Sequence, residues 1–215
     1  MTKSLPNIYL ITDRHQIKLE RQFFDVIEEL LQAGIRMIQL REKDLSAAEL
    51  YQLAIDLRAL TNRYKCQLLI NDRIDLALAV NADGVHLGHH SLPINVARQL
   101  LGTQALIGAS THSVDEVNQA NQHGADFVTY GPVFYTPSKA PYGKPVGIES
   151  LKQICTTSKI PVYALGGIKP HNSKAVMETG AKGIAMISAL LATDYPQQNY
   201  QQFIDEFGNS RQIKT

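Results

Sequence analysis

Short, nearly continuous apolar runs alternate along this chain with longer segments whose apolar positions recur every three or four residues. Ile8-Tyr-Leu-Ile-Thr12 is the first run, stopped by Asp13-Arg14; Phe24, Ile27, Leu30 and Leu31 follow at helical spacing, and Gly34 marks the stop. Met37-Ile-Gln-Leu40 predicts a second strand. Ser46-Ala-Ala-Glu49 reads as a capping box opening a helix with the stripe Leu50, Leu53, Ala54, Leu57. Gln67-Leu-Leu-Ile-Asn71 and Gly84-Val-His-Leu87 predict the third and fourth strands, the third followed by a short helix at 74–80 and the fourth by the segment 93–101. Ala105-Leu-Ile-Gly-Ala109 is the fifth, and a second capping box, Ser113-Val-Asp-Glu116, begins a helix that Gly124 ends. Phe127-Val-Thr-Tyr130 is the sixth, followed by the longest loop, 131–147. The last two runs are Pro161-Val-Tyr-Ala-Leu-Gly-Gly-Ile168 and Gly183-Ile-Ala-Met-Ile-Ser188, on either side of a helical stretch at 172–179 closed by Gly180.

Apolar runs alternating with amphipathic helices mark parallel sheets covered on both faces. Eight such units in 215 residues predict an α/β chain folded as a single (β/α)8 TIM barrel over 1–215, with 210–215 a frayed tail. An open doubly wound sheet is the alternative, because periodicity does not itself show closure. A dinucleotide-binding version of it is disfavoured by the absence of a G-x-G-x-x-G run.

Composition narrows the partners. A net charge of +1 argues against the broad basic face of a nucleic-acid binder, yet permits a local positive pocket. Met1-Thr-Lys-Ser-Leu-Pro-Asn7 carries no apolar signal core and no run reaches membrane-spanning length, which predicts a cytoplasmic protein without a membrane partner. Cys66 and Cys155 stand apart with no metal-type spacing and read as reduced thiols. A homo-oligomer stays open.

In a barrel, chemistry belongs to the C-terminal ends of strands, and phosphate groups commonly sit on the loops after strands seven and eight. The glycine pair Gly166-Gly167 and the Ile187-Ser188 turn would offer backbone N–H groups to a phosphate there; two ordinary turns are the plainer reading. A bulky residue at Gly167 should then block the phosphate with the fold intact. Strand two ends Gln39-Leu-Arg41-Glu-Lys43, where alternation puts an amide and two cations on one side, a clamp for pyrophosphate or a solvated charged loop with its own ion pairs. Asn71-Asp72 offers a carboxylate for Mg2+ or a helix N-cap. Ser110 and His112 follow strand five; Ser113 is explained as the cap, and His112 is either a general acid/base or a satisfied polar residue. The other histidines, including His89-His90, read as loop residues without ligand spacing.

Ile38-Gln-Leu-Arg-Glu-Lys43, Ile70-Asn-Asp-Arg73, Ala82-Asp-Gly-Val-His-Leu-Gly88, the segment 108–113, Gly131-Pro-Val-Phe134, Thr136-Pro-Ser-Lys139 and Leu165-Gly-Gly-Ile168 occur in order. Together they resemble the thiamine phosphate synthase and thiazole tautomerase family over roughly residues 8–192. The resemblance implies a barrel transferase that joins hydroxymethylpyrimidine pyrophosphate to thiazole phosphate, both small phosphorylated substrates, with Mg2+ assisting pyrophosphate departure. It implies pyrimidine pyrophosphate contacts at Gln39, Arg41, Lys43, Asn71, Ser110 and Lys139, with Asp72 as metal ligand. Thiazole phosphate contacts fall at Thr136, Ser138, Gly167, Ile187 and Ser188, and the expected catalytic set is Arg41, Lys43, Ser110, Lys139 and His112. One position departs: Ser91 stands where the synthases carry a second metal-binding Asp. The tautomerases need no such metal and would use His112; a non-catalytic barrel binding thiazole or thiamine phosphates is the third reading.

Overall fold

The computed structural model describes residues 5–137 and 144–211. The apolar runs are β1 (Ile8–Ile11), β2 (Met37–Leu40), β3 (Gln67–Asn71), β4 (Gly84–Leu87), β5 (Leu106–Thr111), β6 (Phe127–Tyr130), β7 (Val162–Leu165) and β8 (Gly183–Met186). Each pairs in parallel with the next, and β8 pairs with β1, so the sheet closes. Closure excludes the open doubly wound alternative.

Two-residue alternation sorts the side chains between two cores. Leu10, Ile38, Ile70, Val85, Ile107 and Val128 lie outside the barrel, beneath the helices. Tyr9, Met37, Leu69, Leu106, Phe127 and Tyr163 fill its interior, and Tyr9, Phe127 and Tyr163 meet edge to face at 5.4–5.8 Å between ring centroids. That aromatic plug closes the barrel floor, so only the strand ends above it are left to line a site.

The outer ring comprises α1 (Phe23–Ala33), α2 (Ala47–Arg63), α3 (Ile74–Ala79), α4 (Ile94–Leu101), α5 (Val114–Gln122), α6 (Gly147–Thr157), α7 (Pro170–Glu178), α8 (Ser188–Leu191) and α9 (Pro196–Arg211). The Ser46–Glu49 capping box forms in both directions. The second box is displaced: Ser113 accepts from Glu116 N, but the Glu116 carboxylate takes the N–H of His112 at 2.6 Å rather than that of Ser113. It therefore holds the end of β5 as well as the start of α5.

Three elements lie beyond the sequence expectation. A 3-10 turn at Arg14–Gln16, the single turn of α8, and α9 are all observed. α9 packs against α1 and α7 through Tyr200, Phe203 and Phe207, which are buried. It continues through residues 210 and 211, where a frayed tail is expected; 212–215 lie outside the described residues.

Candidate active site

The end of β2 separates its charges by sign. Glu42 is buried and accepts the backbone N–H of Arg14 at 3.1 and 3.2 Å, and the Arg14 guanidinium at 3.3 Å. Asp44 pairs with the same guanidinium and with His15 at 3.1 Å, and Arg14 holds its carboxyl well below the usual carboxylate range. Both acids are thus tied to the β1–α1 loop. Arg41, fixed by its N–H on Thr12 Oγ1 at 2.9 Å, and exposed Lys43 have no ion pair among the described residues. A charged loop closed on itself would have paired them; this one leaves two cations to meet an anion.

On the adjacent strand end, Asn71 is half-buried and Asp72 exposed, with φ +65° and its N–H on His86 O at 2.9 Å. The N-cap of α3 is Arg73, without a side-chain cap bond, so Asp72 is not serving as the cap. Arg73 binds Asp75 at 2.8 and 2.5 Å, and the Asp72 carboxylate is without an ion pair among the described residues. Asp72, Arg73, His90 and Ser91 border one open groove of about 530 Å3, which places Ser91 on the same surface as Asp72. Ser91 Oγ accepts the N–H of Gly88 at 2.7 Å and so shapes the loop after β4.

His86 lies in the strand its segment predicts, so the reading of the remaining histidines as loop residues fails for it. It is a β4 residue, 3 % exposed, facing the barrel interior, and not a loop histidine. Its Nδ1 lies 3.3 Å from the Tyr9 hydroxyl and its Nε2 3.0 Å from Ser110 Oγ. Burial, with Arg41 nearby, pulls its pKa down to about 3, so the ring is neutral. Gln39, also buried, donates from Nε2 to the Tyr9 hydroxyl at 2.8 Å. The signal was available: in Gly84-Val-His-Leu87 the polar residue sits between two outward apolar ones, hence inside. β5 extends to Thr111, beyond the expected end at Ala109, and this carries Ser110 inward.

His112 is exposed and donates from Nδ1 to the carbonyl of Gly131 at 2.5 Å. The carbonyl can only accept, which leaves Nε2 as the ring's acceptor nitrogen.

At the ends of β7 and β8, Gly166 and Gly167 adopt φ +99° and +68°. Among the described residues the backbone N–H groups of Gly166, Gly167, Ile187 and Ser188 have no acceptor. Thr136 Oγ1 is buried and likewise without a partner among the described residues. The four N–H groups belong to half-buried or exposed residues, open to a ligand from the barrel mouth, and they stand at the two strand ends where a phosphate is expected. Ser138 and Lys139 lie outside the described residues. The expectation for Gly167 needs correction: a Cβ there would stand 2.7 Å from Phe134 Cβ and 2.8 Å from Tyr135 O, so a substitution moves the β6–α6 loop as well as obstructing the cradle.

The model of the thiamine monophosphate synthase family matches residues 8–190. A Geobacter sulfurreducens protein is 51% identical over 192 residues, covering 89% of this chain and 90% of its own. The thiamine-phosphate synthase of Clostridium acetobutylicum is 44% identical, covering 86% of this chain and 87% of its own. Among solved structures, thiamine phosphate pyrophosphorylase from Pyrococcus furiosus superposes with a TM-score of 0.85 at 35% identity, covering 95% of this chain and 96% of that one. Matched nearly end to end in sequence and in barrel, the chain belongs to the thiamine monophosphate synthase family.

Proposed function

We propose that this protein condenses hydroxymethylpyrimidine pyrophosphate with thiazole phosphate, giving thiamine phosphate and pyrophosphate. The observation that carries the reading is the pairing of unneutralised Arg41 and Lys43 at the end of β2 with unpaired Asp72 at the end of neighbouring β3. A pyrophosphate bridges such a set: cations bind its oxygens directly, and one carboxylate suffices for Mg2+ when phosphate oxygens and water complete the shell. Asp72 would hold the ion, and when bound it supplies neutralisation of the leaving group's charge.

Arg41, Lys43 and Lys139 take up the charge that develops as the C–O bond to pyrophosphate breaks, and Gln39 and Asn71 bound the pyrimidine. The free N–H groups of Gly166, Gly167, Ile187 and Ser188, with Thr136 and Ser138, seat the thiazole phosphate, so the two substrates meet across the barrel mouth. The acidic partners that could have neutralised this mouth, Glu42 and Asp44, are tied to Arg14 and His15. No helix among the described residues is long and apolar enough to cross a membrane.

The test is thiamine phosphate formation from both substrates with Mg2+, with Asp72→Asn alongside. Product that depends on Mg2+ and falls in Asp72→Asn is expected. The second reading, thiazole tautomerisation, draws on His112, whose Nδ1 is fixed and whose Nε2 is left to accept a proton. Absent condensation at high Mg2+, with isomerisation of thiazole carboxylate phosphate lost in His112→Ala, would overturn the synthase reading.

A further inference from the structure

Resting on the reading above, we propose that His86 is a positioning residue that fixes the Ser110 hydroxyl as a hydrogen-bond donor to the pyrimidine diphosphate. His86 lies beneath the strand ends, its ring 5.7 Å from that of Tyr9 and 5.9 Å from that of Phe127, and Ser110 is the half-buried residue above it. The ring fits because β5 has glycine at its register partner: a Cβ on Gly108 would stand 2.6 Å from His86 Nδ1 and 2.4 Å from Phe127 Cζ.

The hydrogen-bond order in this chain has one direction. Gln39 donates its Nε2–H to the Tyr9 oxygen at 2.8 Å. Burial keeps the Tyr9 phenol protonated, and its single hydrogen has one acceptor within reach, His86 Nδ1 at 3.3 Å. A neutral imidazole that accepts at Nδ1 carries its hydrogen on Nε2, and Nε2 faces Ser110 Oγ at 3.0 Å. Thr129 Oγ1 also reaches Nε2, at 3.5 Å, so Ser110 makes the shorter of the two contacts to that nitrogen. Ser110 therefore receives a hydrogen from below, and its own must go to another acceptor: a pyrimidine nitrogen or a pyrophosphate oxygen. Without His86, the same hydroxyl could turn its hydrogen inward.

The first test needs no substrate and no variant. Nitrogen-15 NMR of the labelled wild-type protein at pH 7.5 should show His86 as the neutral Nε2–H tautomer; the Nδ1–H tautomer would overturn the proposal. Kinetics then separate positioning from bulk. His86→Gln can still offer an N–H toward Ser110, whereas His86→Asn is too short. Relative to wild type, His86→Asn should lower kcat/KM for the pyrimidine diphosphate about tenfold, the range for a lost hydrogen bond, with KM for thiazole phosphate unchanged. His86→Gln should recover most of that loss. Ser110→Ala should cost little more in the His86→Asn background, because both changes remove one contact. Equal kinetics in His86→Asn and wild type, or full multiplication of the two losses, would refute the role. Wild-type protein that forms no thiamine phosphate but shows the expected tautomer would instead sink the synthase reading and leave the hydrogen-bond order standing.

Discussion

At the level of single residues, the site is defined by which charged groups are left unpaired. Arg41 and Asp72 illustrate it: each neighbours an oppositely charged pair that is already satisfied, Arg14 with Glu42 and Arg73 with Asp75. A charge-assisted hydrogen bond contributes about 1.5–3 kcal/mol, so Arg41→Ala should weaken competitive inhibition by inorganic pyrophosphate about ten- to a hundredfold. Inhibition constants within a factor of two of each other would remove Arg41 from the clamp. Ser91 gives a sharper test, because it borders the same groove as Asp72 and its present duty is the Gly88 N–H. An aspartate can take that bond with one oxygen and leave the other for a cation. Ser91→Asp should therefore lower the Mg2+ concentration for half-maximal activity, and tighten Mn2+ binding read by electron paramagnetic resonance, since a second carboxylate adds charge and direct coordination. Unchanged metal dependence on both readouts would place residue 91 outside the metal's reach.

At the level of elements, strands were legible and their polar interior was not. Alternation and glycine stops locate all eight strands because buried parallel strands demand apolar runs, and the inward turn of Gln39 toward Tyr9 follows from the same period. The buried polar interior escaped because His86 breaks an apolar run and carries no ligand spacing; only its inward parity distinguishes it. α9 carries Tyr200, Phe203, Ile204 and Phe207 at helical spacing, but a segment rich in Gln and Asn dilutes that stripe. Close approach between loops cannot be read from a glycine pair at all. Gly166-Gly167 could have been a simple turn, whereas Gly167 is packed against the backbone of residues 134 and 135. Gly167→Ala should consequently lower stability by about 1–3 kcal/mol, from a left-handed backbone and an unrelieved contact. Thermal melting should show a fall of several degrees, about 2–4 °C per kcal/mol for a chain of this size. An unshifted melting temperature with lost thiazole phosphate binding would instead restore the simple blocking role.

For the whole molecule, one consequence of closing the barrel is that its polar centre lies between aromatic rings below and the proposed substrate site above. A neutral histidine in that position couples global stability to pH. His86 is faced by the Tyr9 phenol from β1, the Ser110 hydroxyl from β5, the Thr129 hydroxyl and Phe127 ring from β6, and the field of Arg41 from the end of β2. None of these is an anion that would favour an imidazolium. In the unfolded chain the ring protonates near the ordinary imidazole value of 6.5, while in the folded barrel burial pulls its pKa down to about 3. Above 6.5 both states are neutral and His86 adds no pH dependence. Below it the unfolded state binds a proton that the folded state refuses, so stability falls with acidification until about pH 3. The slope approaches 1.4 kcal/mol per pH unit, which amounts to about 2 kcal/mol between pH 7 and 5. His86→Gln has no proton to gain and should lose less over that interval by about the same amount. Urea unfolding of both proteins at pH 7 and pH 5, extrapolated linearly to water, measures the difference. Parallel losses in the two proteins would mean that the barrel tolerates a charged His86, and would undercut the neutral tautomer on which the order of hydrogen bonds from Gln39 to Ser110 depends.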